Sequence, residues 1–254
     1  MRIAGVDGCP GGWIAVVREI EGEIACTVQT IRVVHLVELL DQPDAPSIVA
    51  VDMPIGLPDS TGPKGRAPER LVRPHLGGRQ SSVFSIPSRA AVYAGVEAAI
   101  PQEERYRHAC AIARQTSDAG KAVAKQGFHI FQKIVEIDRL LRARPEFQAT
   151  VRECHPEVAF WAMNGQAPLV EPKKMKGAPY PAGLALRRGL LEAQGFEPDS
   201  MAAEQARTLR VGADDLVDAC AAAWTAARIA RGSALTFPDP PERDAYGLPV
   251  AIWA

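Results

Sequence analysis

The feature that most constrains this chain is its opening, where the apolar run IAGV ends on Asp7 and runs at once into the turn GCPGG. An apolar strand halted by glycine and proline and followed by a second apolar strand, Trp13 to about Arg18, reads as a β-hairpin. A third strand from Glu23 to Ile31 extends it to a meander. HLVELL gives one helical turn or two, and SIVAVDMPIG is a short, continuously apolar run ending on Asp52 and Pro54, the pattern of a buried parallel strand. A meander followed by a parallel strand predicts a mixed sheet.

The rest of the chain alternates. From Leu57 to about Gln126 it is rich in Pro, Gly and Arg, with helices expected near 91–99 and 103–124, so it reads as an insertion. FHIFQKIVEIDRLLRA repeats its apolar residues at helical spacing. ATVRECHPEVAFWAM predicts a strand ending near Glu153, then a helix with Pro156 in its first turn. GADDLVDACAAAWTAARIARG predicts a last long helix, with Asp214 as N-cap and Gly232 as its stop. The C-terminal FPDPPERDAYGLPVAIWA is expected to turn and cover an edge. The sum is an α/β fold, one domain over 1–254 without internal repeats.

Composition excludes several classes. With 47% hydrophobic and 23% charged residues the chain is an ordinary globular one, and no stretch approaches the roughly 18 apolar residues of a membrane span. The N-terminus lacks the apolar core of a secretory signal, so the expected location is cytoplasmic. Five cysteines without a CxxC pair suggest reduced thiols, and the five histidines show no zinc-site spacing. The net charge of −1 conceals an uneven distribution: residues 1–58 carry three Lys/Arg against eight Asp/Glu, and residues 59–152 carry sixteen against nine. The densest basic run holds Lys64, Arg66, Arg70, Arg73, Arg79 and Arg89, a candidate path for a phosphate backbone.

The carboxylates carry the chemistry. Asp7 and Asp52 each end an apolar strand just before a turn, and parallel neighbours about 4.8 Å apart would bring them side by side at the carboxyl edge of the sheet. Like charges held together need a cation or a proton to neutralise them, and such a cluster of carboxylate oxygens suits Mg²⁺ or Mn²⁺. Glu153, at another strand end, is a third candidate. On the last helix Asp215 and Asp218 share a face, as do Asp214 and Asp218. Asp218 sits a full turn into an apolar helix and is the stronger candidate, with Asp215 as the alternative. Ser81 and Ser82, near His75, lack the GxSxG setting of a nucleophile.

Five motifs together resemble the domain-of-unknown-function 429 (DUF429) family, regarded as predicted nucleases of the ribonuclease H-like fold. They are GVDGCPGGW at 5–13, VDMPIGLP at 51–58, LGGRQSSVF at 76–84, ECHPEVAF at 153–160 and DDLVDA at 214–219. The segment PERLVRPHLGG departs from the pattern, lacking the Cys and Asp that the family's helix carries there. The resemblance implies a mixed five-stranded sheet flanked by helices, with the basic, largely helical insertion at about 57–126. It implies acids from the first strand, the fourth strand and the last helix meeting at one edge. The activity implied is phosphodiester hydrolysis on two Mg²⁺ or Mn²⁺ ions held by Asp7, Asp52, Glu153 and Asp218. The substrate would be RNA or DNA, held through Arg73, Arg79, Ser81 and Ser82. Two other functions fit parts of the pattern: an ATP-dependent phosphotransferase of the actin-like group, which also opens with an acid-and-glycine hairpin, and a non-catalytic nucleic-acid-binding module.

Overall fold

The computed structural model describes residues 1–175 and 177–254. β1 (Arg2–Cys9), β2 (Gly12–Glu21) and β3 (Ile24–Val33) form the antiparallel meander. Gly11, at φ +70°, makes the tight first turn without the steric cost a side chain would add. After α1 (Val37–Leu40), β4 (Ile48–Val51) pairs parallel with β1. The long connection that follows carries α2 (Ala67–Val72), a 3₁₀ stretch (Arg73–Ser82), α3 (Arg89–Ala94), α4 (Gln102–Gln115), α5 (Lys125–Phe128) and α6 (Phe131–Ala143). It returns to β5 (Val151–Glu153), parallel to β4, which completes a five-stranded mixed sheet in the order β3-β2-β1-β4-β5.

The C-terminal third adds α7 (Pro156–Met163), the short paired strands β6 (Lys174–Met175) and β7 (Ala178–Pro179), α8 (Pro181–Ala193), α9 (Ala203–Leu209) and α10 (Ala213–Ala230). A last antiparallel pair, β8 (Thr236–Arg243) and β9 (Pro249–Trp253), lies against β5 through a bridge between Cys154 and Trp253. Among the described residues no helix is long and apolar enough to cross a membrane.

Alternation along the strands divides the core in two. Ala4, Val6, Val49 and Val51 face one side, packed with Phe131, Ile134 and Ile137 of α6. Ile3, Ile14, Val16 and Ala50 face the other, against the alanine-rich α10. A Cβ on Gly5 would lie 1.8 Å from the backbone N of Ala223 and 2.2 Å from the carbonyl O of Ala219, so strand and helix meet backbone to backbone. Residues of even smallness on both elements make that approach possible, and it holds the first turns of α10 over the strand ends.

Three local expectations need correction. The helix expected over 103–124 stops at Gln115, where the Thr116 hydroxyl turns back to the Ile112 carbonyl at 2.8 Å. The helix expected over 91–99 runs from Arg89 to Ala94, capped by the Ser88 hydroxyl, which accepts from the Ala91 N–H. The N-cap of α10 is Gly212, not Asp214; Asp215, three residues on, accepts the Gly212 N–H at 3.1 Å and satisfies the free donor there.

Candidate metal centre

The period-two rule places the acids. Asp7 continues the Ile3, Gly5 face of β1, and Asp52 continues the Ala50 face of β4, so both carboxylates emerge on the α10 side. The Asp52 N–H donates to the Val6 carbonyl at 2.8 Å, which fixes the two strand ends in step. Asp218, one turn into α10, comes down between them. Carboxylate oxygens of Asp7, Asp52 and Asp218 all lie within 4.8 Å of one another.

Burial makes this group of charges costly. Asp7 is 7% exposed and Asp218 1%. Burial, then repulsion from Asp52 and Asp218, holds the Asp7 carboxyl well above its usual range. Burial pushes Asp52 and Asp218 up to about 7, against the pull of Lys173. The Lys173 ammonium rests on Asp218 Oδ2 and lies 3.9 Å from Asp214, while Lys174 reaches Asp214 at 2.7 Å. Burial opposes the Lys173 charge, but Asp218 and Asp7 outweigh it and keep that lysine protonated. One ammonium against three carboxylates leaves the group short of positive charge. Asp218 Oδ1, shielded from solvent, has no hydrogen-bond partner among the described residues. Three hard oxygen donors, an unpartnered buried lone-pair oxygen and a charge deficit fit a divalent cation such as Mg²⁺ or Mn²⁺.

The DUF429 family, described as proteins of unknown function, matches residues 5–243. The chain belongs to the DUF429 family. No curated protein and no solved structure matches it.

Not every expected residue of this DUF429 chain joins the group. Glu153 pairs in register with Val51, on the opposite face of the sheet from Asp52. There the Arg66 guanidinium holds it with two contacts of 2.6 and 3.1 Å, and the Ile55 N–H donates to it at 2.7 Å. Burial still pushes Glu153 up to about 7 against the pull of Arg66. Glu153 is therefore an ion-pair partner and lies outside the acid trio. Asp215 is likewise turned to the Gly212 N–H, although it borders the same cavity.

That cavity, about 930 Å³, has the trio at its floor and is bordered by Arg79, Ser81, Ser82, Lys133, Lys173 and Lys174. Arg73 does not border it. Its guanidinium is spent on the carbonyls of Val83 and Lys64 and on the Ser85 hydroxyl. Much of the basic insertion is similarly committed inside the protein: Arg66 to Glu69 and Glu153, Arg89 to Asp138 and Asp244. Ser82 donates to the Arg79 carbonyl at 2.8 Å.

The lysines were missed by sequence reasoning. Lys133, on α6, lies along Gly8 with its ammonium 4.3 Å from the Trp13 ring and against the Gly12 carbonyl. Its signal was weak, since it occupies the polar side of an ordinary amphipathic helix. Lys173 and Lys174 had a clearer one, the lysine cluster in EPKKMK, although about 40 residues separate it from the acids of α10.

Proposed function

We propose that this DUF429 protein is a divalent-metal-dependent nuclease of the ribonuclease H-like fold, with Asp7, Asp52 and Asp218 holding Mg²⁺ or Mn²⁺. The observation that carries the reading is the convergence of these three buried carboxylates, one oxygen of which is unpartnered, at the floor of a cavity rimmed by cations. The strand order β3-β2-β1-β4-β5, with acids from the first strand, the fourth strand and the last helix, agrees with what the family resemblance implies.

A divalent cation there supplies Lewis-acid polarisation of a phosphoryl oxygen and activation of water. The protein's own residues do the positioning. Lys133, Lys173 and Lys174 border the same cavity as the trio, so an anion entering it would meet positive charge beside the acids. Arg79 stands at the rim, its charge unpaired by any acid among the described residues, and attracts the backbone of an RNA or DNA chain. Binding of the anion offsets the positive charge that metal and lysines bring together.

The test is cleavage of labelled single-stranded RNA, RNA–DNA hybrid, duplex DNA and a four-way junction in Mn²⁺ or Mg²⁺. Cutting by the wild type that Asp7→Asn and Asp218→Asn both abolish is the expected result. Absence of cutting on every substrate, or equal cutting by the variants, would overturn the reading.

A further inference from the structure

A second cavity, about 490 Å³, adjoins the acid-floored one, and Ser81, Val83, Phe84 and Gln126 border both. Phe84 is unlike the other six phenylalanines. Those six lie in or against the hydrophobic clusters, whereas Phe84 joins none of the clusters and pairs with no other ring among the described residues. A half-buried aromatic face is thus left at the junction of two cavities.

The backbone holds it there. Arg73 donates from Nε to the Val83 carbonyl at 2.9 Å and from a terminal nitrogen to the Ser85 hydroxyl at 2.9 Å, gripping the residues on either side. Val83 is extended and buried with Val72 and Leu76, and successive side chains of extended backbone alternate, so Phe84 turns away from that cluster. Arg73, expected to touch substrate, instead positions the residue that would.

The two cavities differ in charge. The first has carboxylates and, beside cations already held by acids or a carbonyl, Arg79, which pairs with no acid among the described residues. The second is bordered by Thr61, Gln80, Ser85, Ser117 and Gln126, and its two cations are occupied, Arg73 as above and Lys121 on the Pro63 carbonyl at 2.6 Å. One compartment suits a phosphate at a metal; the other suits a flat, uncharged group with hydrogen-bonding edges beside an aromatic face. A nucleotide unit has both parts. Within a duplex, stacked neighbours cover the faces of a base and its partner covers one edge, so only an unpaired base reaches Phe84.

We propose that the second cavity is a base-binding subsite with Phe84 as its stacking surface, and that the substrate is single-stranded nucleic acid. The phosphate half of this inference rests on the nuclease reading.

The experiment measures binding of a labelled strand of about 12 nucleotides, as RNA and as DNA, to the wild-type protein in Ca²⁺. The matching duplex and an abasic strand are the comparisons. The single strand binds at least tenfold tighter than the duplex. Phe84→Leu loses about tenfold of that affinity, the size of one stacked base, and Phe84→Trp keeps it. A 2-aminopurine strand is quenched by the wild type and not by Phe84→Leu, while Mn²⁺ affinity stays the same in both, which shows an intact fold. Abasic and base-bearing strands binding alike, or Phe84→Leu binding within twofold of wild type, overturns the base subsite and leaves the nuclease reading standing. Duplex bound as tightly and cut as fast does the same. No binding of any nucleic acid overturns both.

Discussion

Arg66 and Glu153 face each other across the crossover from β4 to β5, joined by two contacts of 2.6 and 3.1 Å with their side chains 3% and 4% exposed. The same guanidinium donates to the carbonyls of Ile55 and Gly56, so it ties the segment after Asp52 to the end of β5. Arg66→Ala leaves a buried carboxylate uncompensated, and we expect a loss of about 3–5 kcal/mol in urea unfolding. A loss below 1 kcal/mol would show that the pair is not what holds this crossover.

Gly5→Ala tests how the site is built. The added methyl meets the backbone of α10, which has to move away from β1, carrying Asp218 from Asp7. We expect a cost of at least about 3 kcal/mol, together with weakened Mn²⁺ binding by titration calorimetry. Gly189→Ala, in α8 with nothing within 4 Å, is the control and gains about 0.5–1 kcal/mol. Undiminished Mn²⁺ affinity in Gly5→Ala would separate the acid trio from the strand–helix contact.

The raised carboxyls give a pH signature. Asp52 and Asp218 titrate near 7 when folded, against 3.8 as the ordinary value, because burial favours the protonated form. The folded state therefore binds more protons between these limits. The stability these groups contribute is complete below about pH 4 and is lost as pH rises towards 7. In chelator, the thermal midpoint of Asp218→Asn should fall less over this window than that of the wild type. Added Mn²⁺ should stabilise the wild type more at pH 8 than at pH 5, since the ion competes with protons. Equal stabilisation at both pH values would contradict the assignment.

A divalent cation held by the trio would compete with Lys173 for the same oxygens. Lys173→Met removes the ammonium from Asp218, and Mn²⁺ affinity, followed by electron paramagnetic resonance, should rise about tenfold. Affinity that falls instead would make Lys173 a support of the metal site, holding Asp218 in place.

The sequence was most legible where chemistry and periodicity coincide. Asp7 and Asp52 were visible as a pair, since one acid at a strand end is a common turn former but two on neighbouring strands meet at one sheet edge, and the mixed sheet followed from the meander and the continuous apolar run, its five strands being what the family resemblance implied. Glu153 looked the same in one dimension, yet parity sends it to the other face: Val51 and Glu153 share a register position, and Asp52 is one residue out of step. Arg66 could not be paired with Glu153 from the sequence, since 87 positions separate them. The same is true of Lys173 and Asp218, whose contact depends on how the segment before α8 folds back. Helix ends in the insertion were misplaced because Thr116 competes for the backbone carbonyl, a local choice that apolar spacing does not report.

Asp7 stands on the first strand and Asp218 on the last long helix, so the acid trio is assembled from both ends of the chain. During synthesis a ribosome releases the strands long before α10, and until that helix docks on Gly5 the emerging polypeptide has two isolated carboxylates in place of a cluster. On the proposed nuclease reading, such a chain could not cut its own messenger before α10 docks, and a fragment that ends before α10 would lack the acid trio altogether.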